Sequence, residues 1–362
     1  MQNDRLTDGS LESCFEKASE ILEIAIERGT LKAASFCFRQ ADLTFSRDFG
    51  IARSLAQPPV ESGVSKVPSY LLGSITKPIV IAGLISLFDD FGLSIDDPIR
   101  KYLPDFPSNN FDRITIGHLL THTSGLPDQL PNNEELRSRH APLSDFVDAC
   151  KQLAPAFEPG DAYEYSSMGI LLGAEIAQRI SRVDIAELVQ VRILKLLGMN
   201  HSALGIGTLS EDCLMPCQVE YGAPEAGGGR SDASTWNWNS SYWRSLGAPW
   251  GGAHASAEDV AKFLEAFLKP TSVPFRSERK RMMITNWNAS GIESRGLGFD
   301  VDMRSSGVMS SESTFGHSGS TGTMAWADPA RGRICVVLTT LPAGALPAGA
   351  HPRDQVSRVL MA

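Results

Sequence analysis

The stretch "LLGSITKP" (residues 71–78) leads into the apolar run "IVIAGLISLF" (79–88), and it places Ser74 three residues before Lys77 with Pro78 directly after. Proline is tolerated only near a helix start, because its ring blocks a bond to the previous turn. The helix N-terminus is thereby set near Gly73–Ile75. Ser74 falls among unpaired N–H groups at the positive end of the helix dipole, where negative charge is stabilised. Lys77 shares its face, about 5–6 Å away between Cβ atoms. A serine hydroxyl is a weak nucleophile until a base takes its proton, and a lysine with a pKa of ~10.4 is a poor base at neutral pH. Burial beside an apolar helix lowers that pKa by disfavouring the charge. A capping serine and a lysine with its stem along the surface fit the same eight residues. Spacing alone does not decide between the two readings. Ser277-Glu278-Arg279-Lys280 repeats it inside "RSERKR" (276–281), which reads as a solvated helix face.

Upstream of this stretch, Leu11, Phe15, Ala18, Leu22 and Ile26 recur at helical spacing before Gly29. Strand-like runs follow at 33–39 and 43–49, and residues 52–66 read as loop. Downstream, helical patterns occupy 75–90, 144–153, 167–181, 183–197, 256–268 and 275–285. Strands return at 297–303, 313–317, 323–328 and 334–340, the last two joined by the turn Pro329–Gly332. The pattern predicts an α/β chain of the α+β type, with an antiparallel sheet built from both chain ends and flanked by helices. Residues 1–73 and 286–362 would form the sheet subdomain and 74–285 a mostly helical insertion, with the site where they meet. A length of 362 residues suits two subdomains packed together.

Composition narrows the function. Hydrophobic residues make up 42% and charged residues 21%, the balance of a globular chain, and the formal charge of −9 argues against a nucleic-acid surface. The apolar run near Ser74 is too short for membrane insertion. The N-terminus lacks a basic start and an apolar segment, so no secretory signal is expected. Six scattered cysteines then read as free thiols, and a cytoplasmic location is expected. No metal is expected: Cys213 and Cys217 lack a second pair, and in His118-Leu-Leu-Thr-His122 the glutamate of a zinc-protease motif is missing. No cofactor is expected either. The chain has no G-x-S-x-G elbow, which disfavours an α/β-hydrolase.

Three further stretches bear on Ser74: "EPGDAYEYSSMGILLGAEI" (158–176), "FGHSGSTGTMAWADP" (315–329) and "ITIGHLLTHTSGLPD" (114–128). With "LLGSITKP", and in this order over residues 15–340, the chain resembles the class C β-lactamase-like and penicillin-binding-protein-like serine hydrolases, a family that includes carboxylesterases. Weaker echoes are "LGM" (197–199), "SAEDVAKFL" (256–264) and "LGF" (297–299). The resemblance implies a β-lactamase/transpeptidase-like fold and acyl transfer through a serine ester. Ser74 would be the nucleophile, with Lys77 and Tyr165 sharing the general-base work. The backbone N–H groups of Ser74 and Ser320 would form the oxyanion hole. His317, Ser318 and Gly319 would match the family's Lys/His-Thr/Ser-Gly element on the sheet edge, with Gly319 and Gly322 keeping that strand clear for substrate.

Two positions depart from the family pattern. Ser167 stands where asparagine is frequent, and His317 stands where true β-lactamases carry lysine, so a substrate carboxylate would find a weaker partner. The resemblance therefore implies an esterase on small-molecule esters or amides, with weak or no β-lactamase activity. A D-amino-acid peptidase or amidase and an acyltransferase could use the same site. A non-catalytic ligand-binding descendant would have lost Ser, Lys or Tyr, and all three are present. "PWGG" (249–252) resembles a Trp-Gly-Gly motif of related esterases but lies far upstream of the sheet-edge motif, so it takes no role here. Residues 221–252 hold four of the six tryptophans and suit either a roof over the cleft or a packed cover on the subdomain seam.

Overall fold

The computed structural model describes residues 8–56, 66–302 and 311–361, and in it the two ends of the chain meet in one sheet. Strands β1 (Ala33–Gln40), β2 (Leu43–Gly50), β6 (Asp300–Val301), β7 (Phe315–Gly319), β8 (Thr323–Asp328) and β9 (Arg333–Thr339) are antiparallel in the order β2-β1-β9-β8-β7-β6. β1 pairs with β9 from Ala34↔Thr339 to Gln40↔Arg333, joining residues some 300 positions apart.

Period-two alternation gives this sheet two apolar faces. Phe36, Phe38, Trp326, Cys335 and Val337 face helices Asp8–Glu27 and Pro352–Met361. Cys37, Ala325, Ala327, Val336 and Leu338 face the larger core, which includes Phe263 and Phe267 of helix Ala257–Leu268. β9 is covered on both faces and is buried throughout, whereas the edge strand β2 is mostly exposed or half-buried.

Helix Thr76–Ile85 is buried on every side, as its unbroken apolar sequence requires, and it packs on helix Ser167–Ser181. A second, three-stranded sheet places β3 (Tyr70–Leu71) beside β5 (Ala253–Ala255), with β4 (Ala203–Leu204) beyond. The N–H of Leu72 continues this pairing to the carbonyl of Ala253 at 2.8 Å. The peptide entering Ser74 is thus held by a strand 180 residues downstream.

Several expectations change. The run 52–66, expected as loop, starts inside a helix, Ile51–Ala56, and 57–65 lie outside the described residues. The strand expected over 297–303 shrinks to Asp300–Val301; Met303 lies outside the described residues. Lys280 is no solvated side chain. It is 3% exposed, and its Nζ donates to the carbonyl of Thr271 at 2.7 Å, because the preceding chain folds back over the helix. Among the described residues no helix is long and apolar enough to cross a membrane.

Candidate active site

Ser74 sits in a 3₁₀ turn, Gly73–Ile75, that runs directly into helix Thr76–Ile85. Its side chain caps neither element, so the capping reading has no support. Gly73 has φ +56°, and a Cβ there would stand 2.9 Å from Thr321 Oγ1 and 3.1 Å from the Ser320 nitrogen. Only glycine lets the backbone take this turn so close to the β7–β8 connection. Thr321 and Thr323 tie the two together: their hydroxyls donate to the carbonyls of Leu71 at 2.7 Å and Leu72 at 2.6 Å. Behind the turn, Arg353 Nη1 donates to the carbonyls of Gly319 at 2.6 Å and Thr323 at 2.8 Å.

One helical turn on, Lys77 Nζ lies 3.0 Å from Ser74 Oγ and 2.9 Å from the carbonyl of Trp250. Lys77 is 1% exposed. Burial lowers its pKa from 10.5 to about 7; the charge of Asp128 opposes the shift and that of Arg295 adds to it. A neutral amine there donates one N–H to Trp250 and presents its lone pair to the serine hydroxyl.

Tyr165 arrives on the segment before helix Ser167–Ser181, whose N-cap Ser166 accepts from the N–H of Gly169 at 2.9 Å. Its ring lies 4.8 Å from Lys77 Nζ and 4.6 Å from the ring of His122, and its hydroxyl lies beside that of Ser74. Burial raises the phenol's pKa above its usual value, and Arg295 and the neighbouring Ser74 hydroxyl only partly offset this. Tyr165 therefore stays protonated near neutral pH. His122 accepts the Ser166 N–H at Nδ1, 3.1 Å, and His118 completes a capping box with Thr115. Ser167 turns its hydroxyl and its N–H to Asp128 Oδ1, so its hydroxyl proton is not available to a substrate.

On the sheet edge, His317 is buried and both its ring nitrogens are engaged. A guanidinium can only donate, so His317 Nε2 accepts from Arg295 Nη2 at 2.6 Å, and Nδ1 donates to the Ser318 carbonyl at 2.7 Å. Burial and the charges of Arg295 and Lys77 hold its pKa well below the ordinary value. Arg295 also pairs with Asp300 and stands 5.5 Å from the Tyr165 ring. The fixed cation of this neighbourhood is therefore Arg295. Gly319 and Gly322, expected to keep the strand clear for substrate, are each pressed against backbone. A Cβ on Gly319 would lie 2.2 Å from the Leu72 carbonyl, and one on Gly322, at φ +96°, would lie 1.8 Å from that of Leu341. Both glycines answer backbone packing behind the strand.

Of the expected site residues, Ser74, Lys77, Tyr165, Ser167 and Ser320 line one cleft of about 120 Å³, while His317, Ser318 and Gly319 do not. Trp238, Trp243 and Trp250 line it too and are buried, so the tryptophan-rich segment is at once wall and packed cover. Sequence reasoning missed Asp128, Arg137 and Arg295 and set Trp250 aside. "PWGG" was the one available signal, and it acts here through the Trp250 carbonyl.

The beta-lactamase family model matches residues 68–357. The chain belongs to the beta-lactamase family. Within it, penicillin-binding protein 4* of Bacillus subtilis (strain 168) is 30% identical over 196 residues, covering 53% of this chain and 40% of that protein. Esterase EstB of Burkholderia gladioli is 28% identical over 188 residues, 48% of this chain and 47% of that one. The matches span less than half the length of either relative. Among solved structures, EstCE1, a hydrolase with promiscuous acyltransferase activity, superposes with a TM-score of 0.76 at 17% identity over 96% of this chain and 99% of that one, which establishes the shared fold.

Proposed function

We propose that this protein is a serine hydrolase that forms an acyl ester on Ser74 and acts on small esters, with weak or no β-lactamase activity. The observation that carries the reading is the 3.0 Å contact between Ser74 Oγ and the buried Lys77 amine, whose pKa of about 7 leaves it a competent base at neutral pH. Ser74 Oγ attacks the substrate carbonyl carbon and its proton passes to Lys77 Nζ. The oxyanion is met by the N–H groups of Ser74 and Ser320. Collapse breaks the bond to the leaving alcohol, which takes up the proton that Lys77 received. Tyr165, kept protonated, is a donor in this scheme rather than a second base: its hydroxyl relays a proton between Ser74 Oγ, Lys77 and the leaving oxygen. Water then attacks the acyl ester, Lys77 takes a proton from that water, and on collapse Lys77 passes the proton to Ser74 Oγ as the acid leaves.

The preference for esters over β-lactams is supported by His317, which stands where a lysine would meet the lactam carboxylate. Its two nitrogens are committed to Arg295 and Ser318. We place the site at the seam between a sheet subdomain, 1–73 with 286–362, and the helical residues 74–285. A reducing, cytoplasmic setting fits the six free cysteines. Intact-mass spectrometry after exposure to a small aryl ester or to benzylpenicillin, with Ser74→Ala as control, tests the reading. The expected result is an acyl mass gain or ester turnover that vanishes in Ser74→Ala, with far less reaction on benzylpenicillin. Ester turnover that survives in Ser74→Ala refutes the assignment.

A further inference from the structure

Arg137 lies in "NNEELRSRH" (132–140), a stretch whose charge reads as solvated surface. Its neighbours behave that way: Glu134 pairs with Arg230 and Arg139 with Asp145, all on the outside. Arg137 does not. It is 2% exposed and lines the cleft that holds Ser74 and Lys77. Its guanidinium lies 3.8 Å from the centre of the Trp243 ring, and its Nε donates to Asn133 Oδ1 at 3.3 Å. Nη1 is buried with no partner, and among the described residues Arg137 makes no ion pair. Glu225 lines the same cleft and its charge favours the cation, yet it does not reach pairing distance.

An arginine buried without an anion is costly, because the charge has left water and nothing replaces the lost hydrogen bonds. Here Trp243 and Asn133 orient the planar fork while one arm stays buried and unpaired at the wall of the cleft that holds Ser74. That is the arrangement of a waiting site for a planar oxyanion, which a guanidinium grips through two parallel N–H donors. Asp128, in the same cleft, has its Oδ1 held by Ser167, which leaves Arg137 as the lining guanidinium with an unpaired arm.

We propose that Arg137 binds a carboxylate of the substrate, so that the site takes esters or amides carrying a negative charge a few bonds from the scissile carbonyl. This rests on the serine-hydrolase reading and deepens it. The carboxylate can belong to the acyl part or to the leaving group, and paired substrates separate the two. 4-Nitrophenyl hydrogen glutarate against 4-nitrophenyl valerate places it on the acyl side; 3-carboxyphenyl butyrate against phenyl butyrate places it on the leaving group. Rates are taken after subtracting those of Ser74→Ala, which removes spontaneous hydrolysis.

The expected result for the wild-type protein is a kcat/KM for the anionic member at least ~10-fold above its neutral partner in one of the two pairs, the gain typical of a charge-assisted hydrogen bond. Arg137→Met should lower that ratio at least ~10-fold, and Arg137→Lys should recover part of it. The wild-type ratio needs no variant to fold, and circular dichroism checks the variants. Neutral esters turned over with no anionic preference in either pair, or a ratio unchanged in folded Arg137→Met, overturn the carboxylate assignment and leave the serine hydrolase standing. Absence of Ser74-dependent turnover on all four esters overturns both.

Discussion

The state of Lys77 makes the sharpest demand on the mechanism. In water a lysine of pKa 10.5 is about 0.1% free base at pH 7.5; at about 7, the value burial gives this one, roughly three quarters is free base. At about 1.4 kcal/mol per unit, the protein spends about 5 kcal/mol of differential solvation to hold the amine neutral. The sign follows directly. Protonated Lys77 has no lone pair for the Ser74 proton, so activity is lost as pH falls through its pKa. The kcat/KM for a neutral ester, which reports the free enzyme, should rise along a single limb with a midpoint of about 7. At pH 5 it should be about 100-fold below the plateau. Asp128 supplies the test of cause: its charge raises the Lys77 pKa, so Asp128→Asn should move the limb to lower pH while leaving an oxygen to accept from Ser167. The assay is a stopped-rate profile from pH 4.5 to 9 with an uncharged aryl ester. A flat profile between pH 5 and 8 refutes Lys77 as the base, and a rate still rising about tenfold per unit from pH 8 to 9 refutes its lowered pKa. A limb that moves upward in Asp128→Asn refutes the electrostatic account.

Two further outcomes concern the frame around Ser74. Gly73→Ala forces a Cβ onto Thr321 Oγ1 and the Ser320 nitrogen at a positive φ. It should cost about 1–3 kcal/mol in a denaturant melt and at least ~10-fold in kcat by displacing an oxyanion donor; wild-type kcat in a folded variant contradicts this. Arg353→Met strips two buried carbonyls behind the β7–β8 turn of their donor. Stability should fall by about 2–4 kcal/mol with a slower kcat, and an unchanged melting curve removes the buttress argument.

What could be read from the chain was what short range decides. Ser74 and Lys77 meet because one helical turn brings them together, and Pro78 marks where that turn begins. The strands of the sheet showed as alternating runs, and β9 as a continuous one because it is covered on both faces. Charged residues were the opposite case. Arg137 and Lys280 both stand in runs that read as solvated surface, and both are buried, since only the arrival of distant segments takes the water away. At Gly319 and Gly322 the close partners are the Leu72 and Leu341 carbonyls, which no local pattern names.

By itself, then, the sequence determined the order of elements, the start of the central helix and the Ser74–Lys77 pairing, all properties of neighbouring residues and their periodicity. Tertiary structure decided which state those groups occupy. Lys77 holds a pKa lowered to about 7 because segments distant in the chain, Trp250 among them, bury it away from water. His317 is held neutral because burial strips its water and the charge of Arg295 stands beside it. Arg137 faces the cleft because Trp243 offers its ring from 106 residues away. Each is a matter of desolvation and pairing across the fold, and solvation has no sequence period.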